Sequence, residues 1–399
     1  MEITTPLKAT IDLQELLRIS QTATNTILKV RAKMLAPELR KLPPVYKTAQ
    51  LAELCGIDKA KVMYASKKGP LPAGTKVGSQ LEWSLIQARQ WVQSFRSMHL
   101  RDRTKTAAAV ITVANFKGGV AKTSTAAALA QGLSLRGHKV LIIDCDPQGS
   151  LTTLFGVMPN TEVEEEQTIL PLCLGESDSI MSAIQPTYWD GIDLVAAAPL
   201  LFNAEFVLPS RQRDEEGFEF WNVLKNGLEP ACEEYDFIII DTPPSLSYVT
   251  INAIMAANGI IMPLPPSALD FASSAQFWSL FTDLCTGLMN AGDSSKKFYF
   301  IDILLSRVDK QDLVSNAVRQ WIMTAYPGMV LPVEIPKTAI AATASADFGT
   351  VYDMDPLTAN VKTLKRARDA YDQVVDYVEI QAKGIWSNDI LSLSQGDTL

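Results

Sequence analysis

The pattern of apolar positions changes along the chain and divides it into three predicted parts. Residues 11–33 place leucines, isoleucines and a valine at largely helical spacing, which predicts an amphipathic helix that ends near the Pro43-Pro44 break. Such a helix either packs on its own domain or pairs with a second copy of the chain. We assign residues 1–42 to this N-terminal helix, with dimerisation as a candidate role.

The second part, residues 43–105, has the pattern of a helix-turn-helix domain. Residues 46–69 predict two helices separated by a tight turn at Gly56, and Asp58 is placed to cap the second helix. Lys59 and Lys61 lie on outward positions of that second helix, and Lys67 and Lys68 follow it. Residues 71–84 then have the composition of a short hairpin or wing. The prediction is an α-helical, winged helix-turn-helix domain.

The third part, residues 106–399, begins after a polar, basic stretch at 98–106 that predicts a linker. Helical stretches separate six apolar runs, at 107–115, 139–146, 191–199, 235–243, 258–266 and 298–306. Runs this apolar are typical of strands buried on both faces, as in a parallel sheet covered by helices. We therefore predict a doubly wound α/β fold, closed by a long helix within residues 357–381.

Charge is distributed unevenly between these parts. Residues 1–105 carry 18 Lys and Arg against 8 Asp and Glu, a net charge of +10, whereas the remainder carries 18 against 36, a net charge of −18. A basic region next to a predicted helix-turn-helix favours DNA as its partner. The alternative is that these lysines only keep a small domain in solution.

Composition excludes several kinds of site. The two histidines, His99 and His138, are too few for a histidine metal cage, and they argue against a Ser-His-Asp centre. Five widely spaced cysteines without a Cys-x-x-Cys pair argue against disulfides, a zinc ribbon or an iron–sulfur cluster, and they fit a reducing cytosol. The absence of a signal pattern and of about 18 consecutive apolar residues predicts a protein that is neither exported nor membrane-spanning.

A phosphate-binding loop is predicted where the first apolar run meets an alanine-rich helix, at Lys117-Gly118-Gly119-Val120-Ala121-Lys122-Thr123-Ser124. Glycines allow backbone N–H groups to curl around a phosphate, and the helix directs its positive end at the anion. Lys122 would reach the β and γ oxygens of a nucleotide, and the Thr123 hydroxyl would bind Mg²⁺. The usual G-x-x-x-x-G-K-[ST] pattern is incomplete, because Phe116 and Ala121 occupy the two glycine positions.

Three carboxylates follow two of the other apolar runs. Asp144 and Asp146 end one run, and Asp241 ends another. Ligands of open parallel sheets bind beyond the carboxyl ends of the strands, so these groups are expected to converge on the phosphate site. For any one of them in isolation, a helix cap would be the better interpretation. Beside a phosphate loop, the three together favour a site for Mg²⁺ and water.

Three segments in this order, Lys117-Gly-Gly-Val-Ala-Lys-Thr, Asp144-Cys-Asp-Pro-Gln-Gly and Ile-Ile-Ile-Asp241-Thr-Pro-Pro, resemble the ParA/MinD group of ATPases, and within it the ParA-type DNA-partition ATPases. The resemblance covers about residues 107–380, and the N-terminal helix-turn-helix is similar to that of the larger, operon-repressing members. It implies an ATP-dependent homodimer with ATP or ADP and Mg²⁺ bound at the interface. The nucleotide contacts would then be Lys117, Gly118, Gly119, Val120, Ala121, Lys122, Thr123, Ser124 and Pro265.

The same resemblance implies roles for individual residues and for partners. Lys117 would reach the phosphates of the opposite subunit, and Asp146 would orient the attacking water. The residues that would hold the metal are Thr123, Asp146 and Asp241. The expected partner is a ParB-type centromere-binding protein, and the ATP-bound dimer is expected to bind DNA without sequence preference. Candidates for that DNA contact are Lys337, Lys365, Arg366 and Arg368. The resemblance also implies a cytoplasmic protein that associates with the nucleoid.

Two alternatives to a partition function remain. A MinD-type membrane-associated positioning ATPase would carry a basic amphipathic C-terminal helix, whereas residues 384–399 contain no lysine or arginine. A nucleotide-regulated transcriptional repressor without a partition role is equally consistent with the helix-turn-helix pattern. ATP turnover measured with and without DNA and a ParB-type partner separates the repressor from the partition ATPase.

Overall fold

The computed structural model describes residues 12–34, 41–290, 296–337, 349–353 and 361–396. By contacts the chain separates into a unit of residues 1–42 and a unit of residues 43–399. The first unit contains helix α1, Leu13–Met34, whose start is capped by Asp12 as it accepts the Glu15 N–H. Leu13, Leu16, Leu17 and Ile19 of α1 are exposed to solvent.

Residues 43–105 form a small helical region with a three-stranded antiparallel sheet. Its elements in chain order are β1 (Val45–Lys47), α2 (Thr48–Cys55), α3 (Lys59–Lys68), β2 (Thr75–Val77), β3 (Gln80–Ser84) and α4 (Leu85–Phe95). The chain turns between α2 and α3 at Gly56, whose φ of 65° suits a residue without a side chain. Asp58 caps α3 by accepting the Lys61 N–H at 2.7 Å. Strand β3 lies between β1 and β2.

The remaining strands form one eight-stranded sheet. They are β4 (Ala109–Val113), β5 (Val140–Asp144), β6 (Gln185–Pro186), β7 (Ile192–Val195), β8 (Phe237–Asp241), β9 (Gly259–Leu264), β10 (Phe300–Val308) and β11 (Val330–Pro336). Their order is β11-β10-β9-β4-β8-β5-β7-β6, and all neighbours are parallel except β6 and β7. The mostly parallel α/β sheet is therefore as predicted, and each of the six apolar runs contains a strand.

In the described residues, ten α-helices accompany this sheet. They are α5 (Lys122–Leu135), α6 (Ser150–Leu154), α7 (Leu170–Leu174), α8 (Ala204–Asp214), α9 (Val223–Gly227), α10 (Glu229–Glu234), α11 (Tyr248–Ala256), α12 (Ala268–Asn290), α13 (Leu313–Ala325) and α14 (Val361–Gly396). Short 3₁₀ helices span Ser97–His99, Glu165–Gln167, Ile180–Ala183, Pro199–Asn203 and Phe220–Asn222. Among the described residues, no helix is both long enough and apolar enough to cross a membrane.

Both faces of the sheet are buried. Successive side chains of a strand point to opposite faces, and each face packs in a hydrophobic core. In β8, Ile239 packs in one core with α5 and α14, whereas Ile238 and Ile240 pack in the other. Helices α5 and α14 approach closely at Gly132, where an added Cβ would lie 2.5 Å from the Val375 side chain. This packing fixes α5, and with it the loop that precedes α5.

Helix α4 docks on the C-terminal end of α5 through three polar side chains. Arg89 is buried and donates to the Ser134 and His138 carbonyls at 3.0 and 2.8 Å, and it pairs with Asp190. Gln93 donates to the Gly137 carbonyl at 2.9 Å, and Arg96 donates to that of Arg136 at 3.1 Å. These donors satisfy carbonyls at and just beyond the helix end. Residues 43–105 therefore share an interface with the helix that begins at the predicted phosphate loop.

The polar stretch predicted as a linker is held against the larger sheet. Arg101 is buried and donates through Nε to the Thr106 carbonyl at 2.9 Å. Arg103 makes two hydrogen bonds with Asp236, at 2.9 and 3.1 Å. The stretch has no apolar periodicity because its arginines, rather than apolar side chains, fix it in place.

Candidate functional site

The predicted phosphate loop connects the end of β4 to the start of α5. Gly119 and Ala121 both have left-handed backbone conformations, with φ of 75° and 76°. For alanine this conformation costs about 1 kcal/mol, since its Cβ crowds the backbone. Alanine at this glycine position of the usual pattern therefore strains the backbone of the loop. Beyond it, α5 presents its N-terminal N–H groups to the loop.

Lys122, the first residue of α5, folds back into the loop. It is largely buried, and its Nζ donates to the Lys117 carbonyl at 3.0 Å. Burial lowers the pKa of Lys122, whereas the nearby charges of Asp241 and Asp146 act in the opposite direction. The loop thus encloses an ammonium group that faces two carboxylates.

Asp144 and Asp146 lie at the carboxyl end of β5, in line with Asp241 of β8. The strands pair with Asp144 opposite Asp241 and with Val113 of β4 opposite Asp241, so all three strands end at one level. Asp144 is fully buried and accepts hydrogen bonds from the N–H and hydroxyl of Thr152, both at 2.8 Å. Burial raises the pKa of Asp144 to about 6. Asp146 is partly exposed, and among the hydrogen bonds found in the described residues its carboxylate accepts only the Gln148 N–H, at 3.0 Å.

Asp241 is a fully buried carboxylate whose two oxygens form no hydrogen bond of ordinary geometry with the described residues. Burial and the neighbouring Asp144 raise its pKa well above the usual range, whereas the Thr123 hydroxyl and Lys122 act against that rise. Uncompensated carboxylate oxygens in a buried site suit a cation or ordered water. In the described ranges no cluster of three or more His, Cys, Asp or Glu side chains forms a complete metal site.

Lys117, the additional lysine of the loop, points away from Lys122. Its Nζ forms an ion pair with Asp270 at 2.9 Å, and the side chains of the two residues are 39% and 12% exposed. Asp270 lies in the first turn of α12, where its N–H is bonded to the Ser267 hydroxyl. The loop therefore holds its two lysines in different environments, one enclosed and one at the rim.

A cavity of about 320 Å³ adjoins the loop. Lys117, Gly118, Gly119 and Val120 form one wall, and the other lining residues are Pro265, Pro266, Ser267, Asp270, Arg307, Asp309, Asp312, Ser315 and Lys337. Pro265, a nucleotide contact that the resemblance implies, is among these lining residues. Lys337, a candidate for DNA contact, lines this cavity as well.

Three further residues lie at this site that were not predicted from the sequence, Asp270, Ser306 and Arg307. Ser306 and Arg307 lie near the carboxyl end of β10, and they donate to the loop carbonyls of Val120 and Gly119. The rule that ligands bind beyond carboxyl ends applies to β10 as well as to β5 and β8, so the signal was present. Asp270 had no comparable signal, because an acidic residue in a first helical turn is ordinary.

Apart from Lys337, which lines the cavity, the basic residues proposed to contact DNA lie on two helices, α3 and α14. Lys59, Lys61, Lys67 and Lys68 are all exposed on α3, with the Lys61 ammonium 5.1 Å from the Phe95 ring centre. Lys365 and Arg366 are exposed on α14. Arg368, also on α14, is half-buried and donates to the Tyr352 carbonyl at 3.3 Å. The helix α3 thus displays its lysines to solvent, whereas Arg368 is partly committed to packing.

Comparison with known proteins finds a matching family model and relatives that are similar in sequence. Residues 108–290 match a family model described as an AAA domain. A protein named replication protein A from Rhizobium rhizogenes is 32% identical over 281 residues, covering 69% of this chain and 69% of that protein. The chromosome partitioning protein ParA of Caulobacter vibrioides is 27% identical over 275 residues, covering 67% of this chain and 95% of that protein.

Solved structures share the fold. A partition protein aligns with a TM-score of 0.64 at 17% identity, over 91% of this chain and 98% of its own. A cobyrinic acid a,c-diamide synthase from Mycobacterium smegmatis, solved with bound ADP and magnesium, aligns with a TM-score of 0.52 at 27% identity, over 67% of this chain and 93% of its own.

Proposed function

Since this chain belongs to the family of ParA-type partition ATPases, we propose that it hydrolyses ATP to drive the segregation of a plasmid or chromosome. The observation that carries the proposal is the meeting of the enclosed Lys122, the Thr123 hydroxyl and the buried Asp241 behind one phosphate loop. A lysine and helix N–H groups meet the phosphates in this arrangement.

Mg²⁺ fits the polar groups beside Lys122. The residues that would hold it are Thr123, Asp146 and Asp241, of which Asp241 has buried oxygens in need of a partner. Mg²⁺ commonly takes only one or two protein carboxylates and completes its shell with phosphates and water, so no carboxylate cluster is required. When bound, the ion neutralises charge on the β and γ phosphates. The M. smegmatis structure with ADP and magnesium supports the same pair of ligands here.

Asp146 is the proposed water-orienting residue. It lies beyond the end of β5, is partly exposed, and has a carboxylate less committed to protein hydrogen bonds than that of Asp144. Asp144 instead fixes Thr152 and accepts the Asp146 N–H at 3.1 Å, so its role is to position Asp146. Turnover by the chain alone is proposed to be slow, and positive charge supplied by a ParB-type partner would accelerate it.

Homodimerisation accompanies ATP binding in this proposal. Lys117 lies at the rim of the loop and is well placed to leave Asp270 and reach the phosphates of a second subunit. The exposed apolar residues of α1 offer a further surface for pairing of two chains. The bound nucleotide and the N-terminal helix α1 would then each stabilise the dimer independently.

Two modes of DNA binding are proposed, one through α3 and one through basic residues nearer the C-terminus. Residues 43–105 read an operator through α3, with Lys59, Lys61, Lys67 and Lys68 contributing, and thereby repress the operon. The ATP-bound dimer binds DNA without sequence preference through Lys337, Lys365, Arg366 and Arg368, which associates it with the nucleoid in the cytoplasm. The half-buried position of Arg368 makes it the weakest of these contacts.

ATP turnover by the full chain tests this function. We expect slow hydrolysis that DNA and the cognate centromere-binding protein together accelerate, and a loss of about 10²-fold to 10⁴-fold in Asp146→Ala with ATP still bound. Gln148→Ala, two residues further along, serves as the matched control. ATP binding without turnover under every condition, together with retained operator binding, would instead indicate a nucleotide-regulated repressor.

A further inference from the structure

We propose that Ser306 and Arg307 are positioning residues that aim the backbone N–H groups of the phosphate loop at the nucleotide. The inference rests on the proposed nucleotide binding and adds a role for the carboxyl end of β10. Ser306 is fully buried, and its hydroxyl donates to the Val120 carbonyl at 2.9 Å. Arg307 Nη1 donates to the Gly119 carbonyl at 2.6 Å. One strand end thus holds two successive carbonyls of the loop.

The consequence follows from the planarity of the peptide bond. In a trans peptide the carbonyl of one residue and the N–H of the next point in opposite directions, and the described residues contain no cis peptide. Holding the Gly119 and Val120 carbonyls toward β10 therefore turns the N–H groups of Val120 and Ala121 away from β10. Within the described residues neither N–H donates a hydrogen bond to a protein acceptor. Successive backbone N–H groups of this kind form an anion-binding concavity.

Backbone strain marks the same place. Arg307 has a φ of 53°, and within the described residues only Arg307 and Ala121 are non-glycine residues with positive φ. Such a conformation persists where surrounding structure imposes it, and it is found disproportionately at binding sites. Here one strained residue lies in the loop, and the other supplies the side chain that holds the loop. The two strained conformations are explained together if the loop must be fixed before a phosphate arrives.

Arg307→Gly tests the role of the side chain without disturbing the backbone, because glycine adopts a φ near 53° freely. We expect the dissociation constants for ADP and ATP to rise by the same factor, about tenfold, since one charge-assisted hydrogen bond is lost and both nucleotides present a β phosphate. The KM for ATP should rise similarly with kcat unchanged, and the melting temperature of the ligand-free chain should not fall. Ser306→Ala should act in the same direction on both nucleotides.

The matched control is Arg213→Ala, which removes an exposed arginine of α8 that pairs with Asp214. It should leave both dissociation constants unchanged. A loss confined to ATP would overturn the inference, because it would place Arg307 on the γ phosphate rather than on the loop. Unchanged affinity for both nucleotides in Arg307→Gly would overturn it too. Failure of the unmodified chain to bind either nucleotide would instead refute the proposed function.

Discussion

The ion pair between Lys117 and Asp270 predicts that Asp270 restrains dimer formation. If Lys117 has to reach the phosphates of a second subunit, each subunit must first break its own pair. Asp270→Asn removes the charge but keeps an oxygen that can accept the Ser267 hydroxyl at the start of α12. We expect this variant to dimerise more tightly than the unmodified chain in the presence of ATP.

The size of the effect follows from the exposure of the pair. Because Lys117 is 39% and Asp270 12% exposed, solvent screens the pair, and its loss costs about 1 kcal/mol. A dimer breaks two such pairs, so removing them favours association by about 2 kcal/mol, or roughly 30-fold in the dissociation constant of the dimer. The affinity of the monomer for ADP should not change.

Sedimentation equilibrium with saturating Mg-ATP measures this constant. Every sample also carries the Asp146→Ala substitution, so that ATP is not hydrolysed during the run. Asp283→Asn, on an exposed position of the same helix, is the control for loss of an acidic charge. An unchanged or weaker dimer in Asp270→Asn would refute the reasoning, since Lys117 would then not have to leave Asp270.

Three other changes have defined outcomes. Lys117→Ala should leave ADP affinity within about threefold while weakening the ATP-dependent dimer, and calorimetry showing equal loss of both would contradict the cross-subunit role. Burial raises the pKa of Asp302 to about 6, so this group stabilises the fold below pH 4 and loses that contribution as pH rises through 6. Asp302→Asn should therefore be more stable than the unmodified chain at pH 8, by up to about 3 kcal/mol, and not at pH 4. Thermal unfolding at both pH values tests this, and an equal difference at both would contradict it. Arg89→Met should lower the free energy of unfolding in urea by about 3 kcal/mol, because the Ser134 and His138 carbonyls and Asp190 lose a buried partner. A loss below about 1 kcal/mol would show that the α4 contact is not needed.

Strand positions and the phosphate loop were open to prediction because both are local in sequence. Six apolar runs gave six strands of the parallel sheet, and the order of strand, glycine pair and alanine-rich helix located Lys122. Strand β11 was not predicted from the sequence, because Pro332 interrupts its apolar run. Proline is tolerated there because β11 lies at the edge of the sheet.

Contacts between distant segments were not open to prediction from periodicity. Arg89 and Ser134 are 45 residues apart, and Lys117 and Asp270 are 153 apart, so neither pairing leaves a pattern in any short window. The hydrogen bonds of Asp144 were likewise not predictable. The sequence places this carboxylate at a strand end, but it does not show that the Thr152 hydroxyl donates to it. The type of a residue and its position at a strand end therefore predict which groups lie near the site. What each group does there is decided by its tertiary contacts.

Calorimetric titration of Mg-ATP into the full chain and into Lys122→Ala tests the central claim most directly. The account predicts one nucleotide per chain for the unmodified protein and an affinity loss of at least about 100-fold in the variant, because the enclosed ammonium is the main cation facing the β and γ phosphates. Gln148→Ala should bind like the unmodified chain. Equal affinity of Lys122→Ala and the unmodified protein would contradict the assignment of this loop as the nucleotide site.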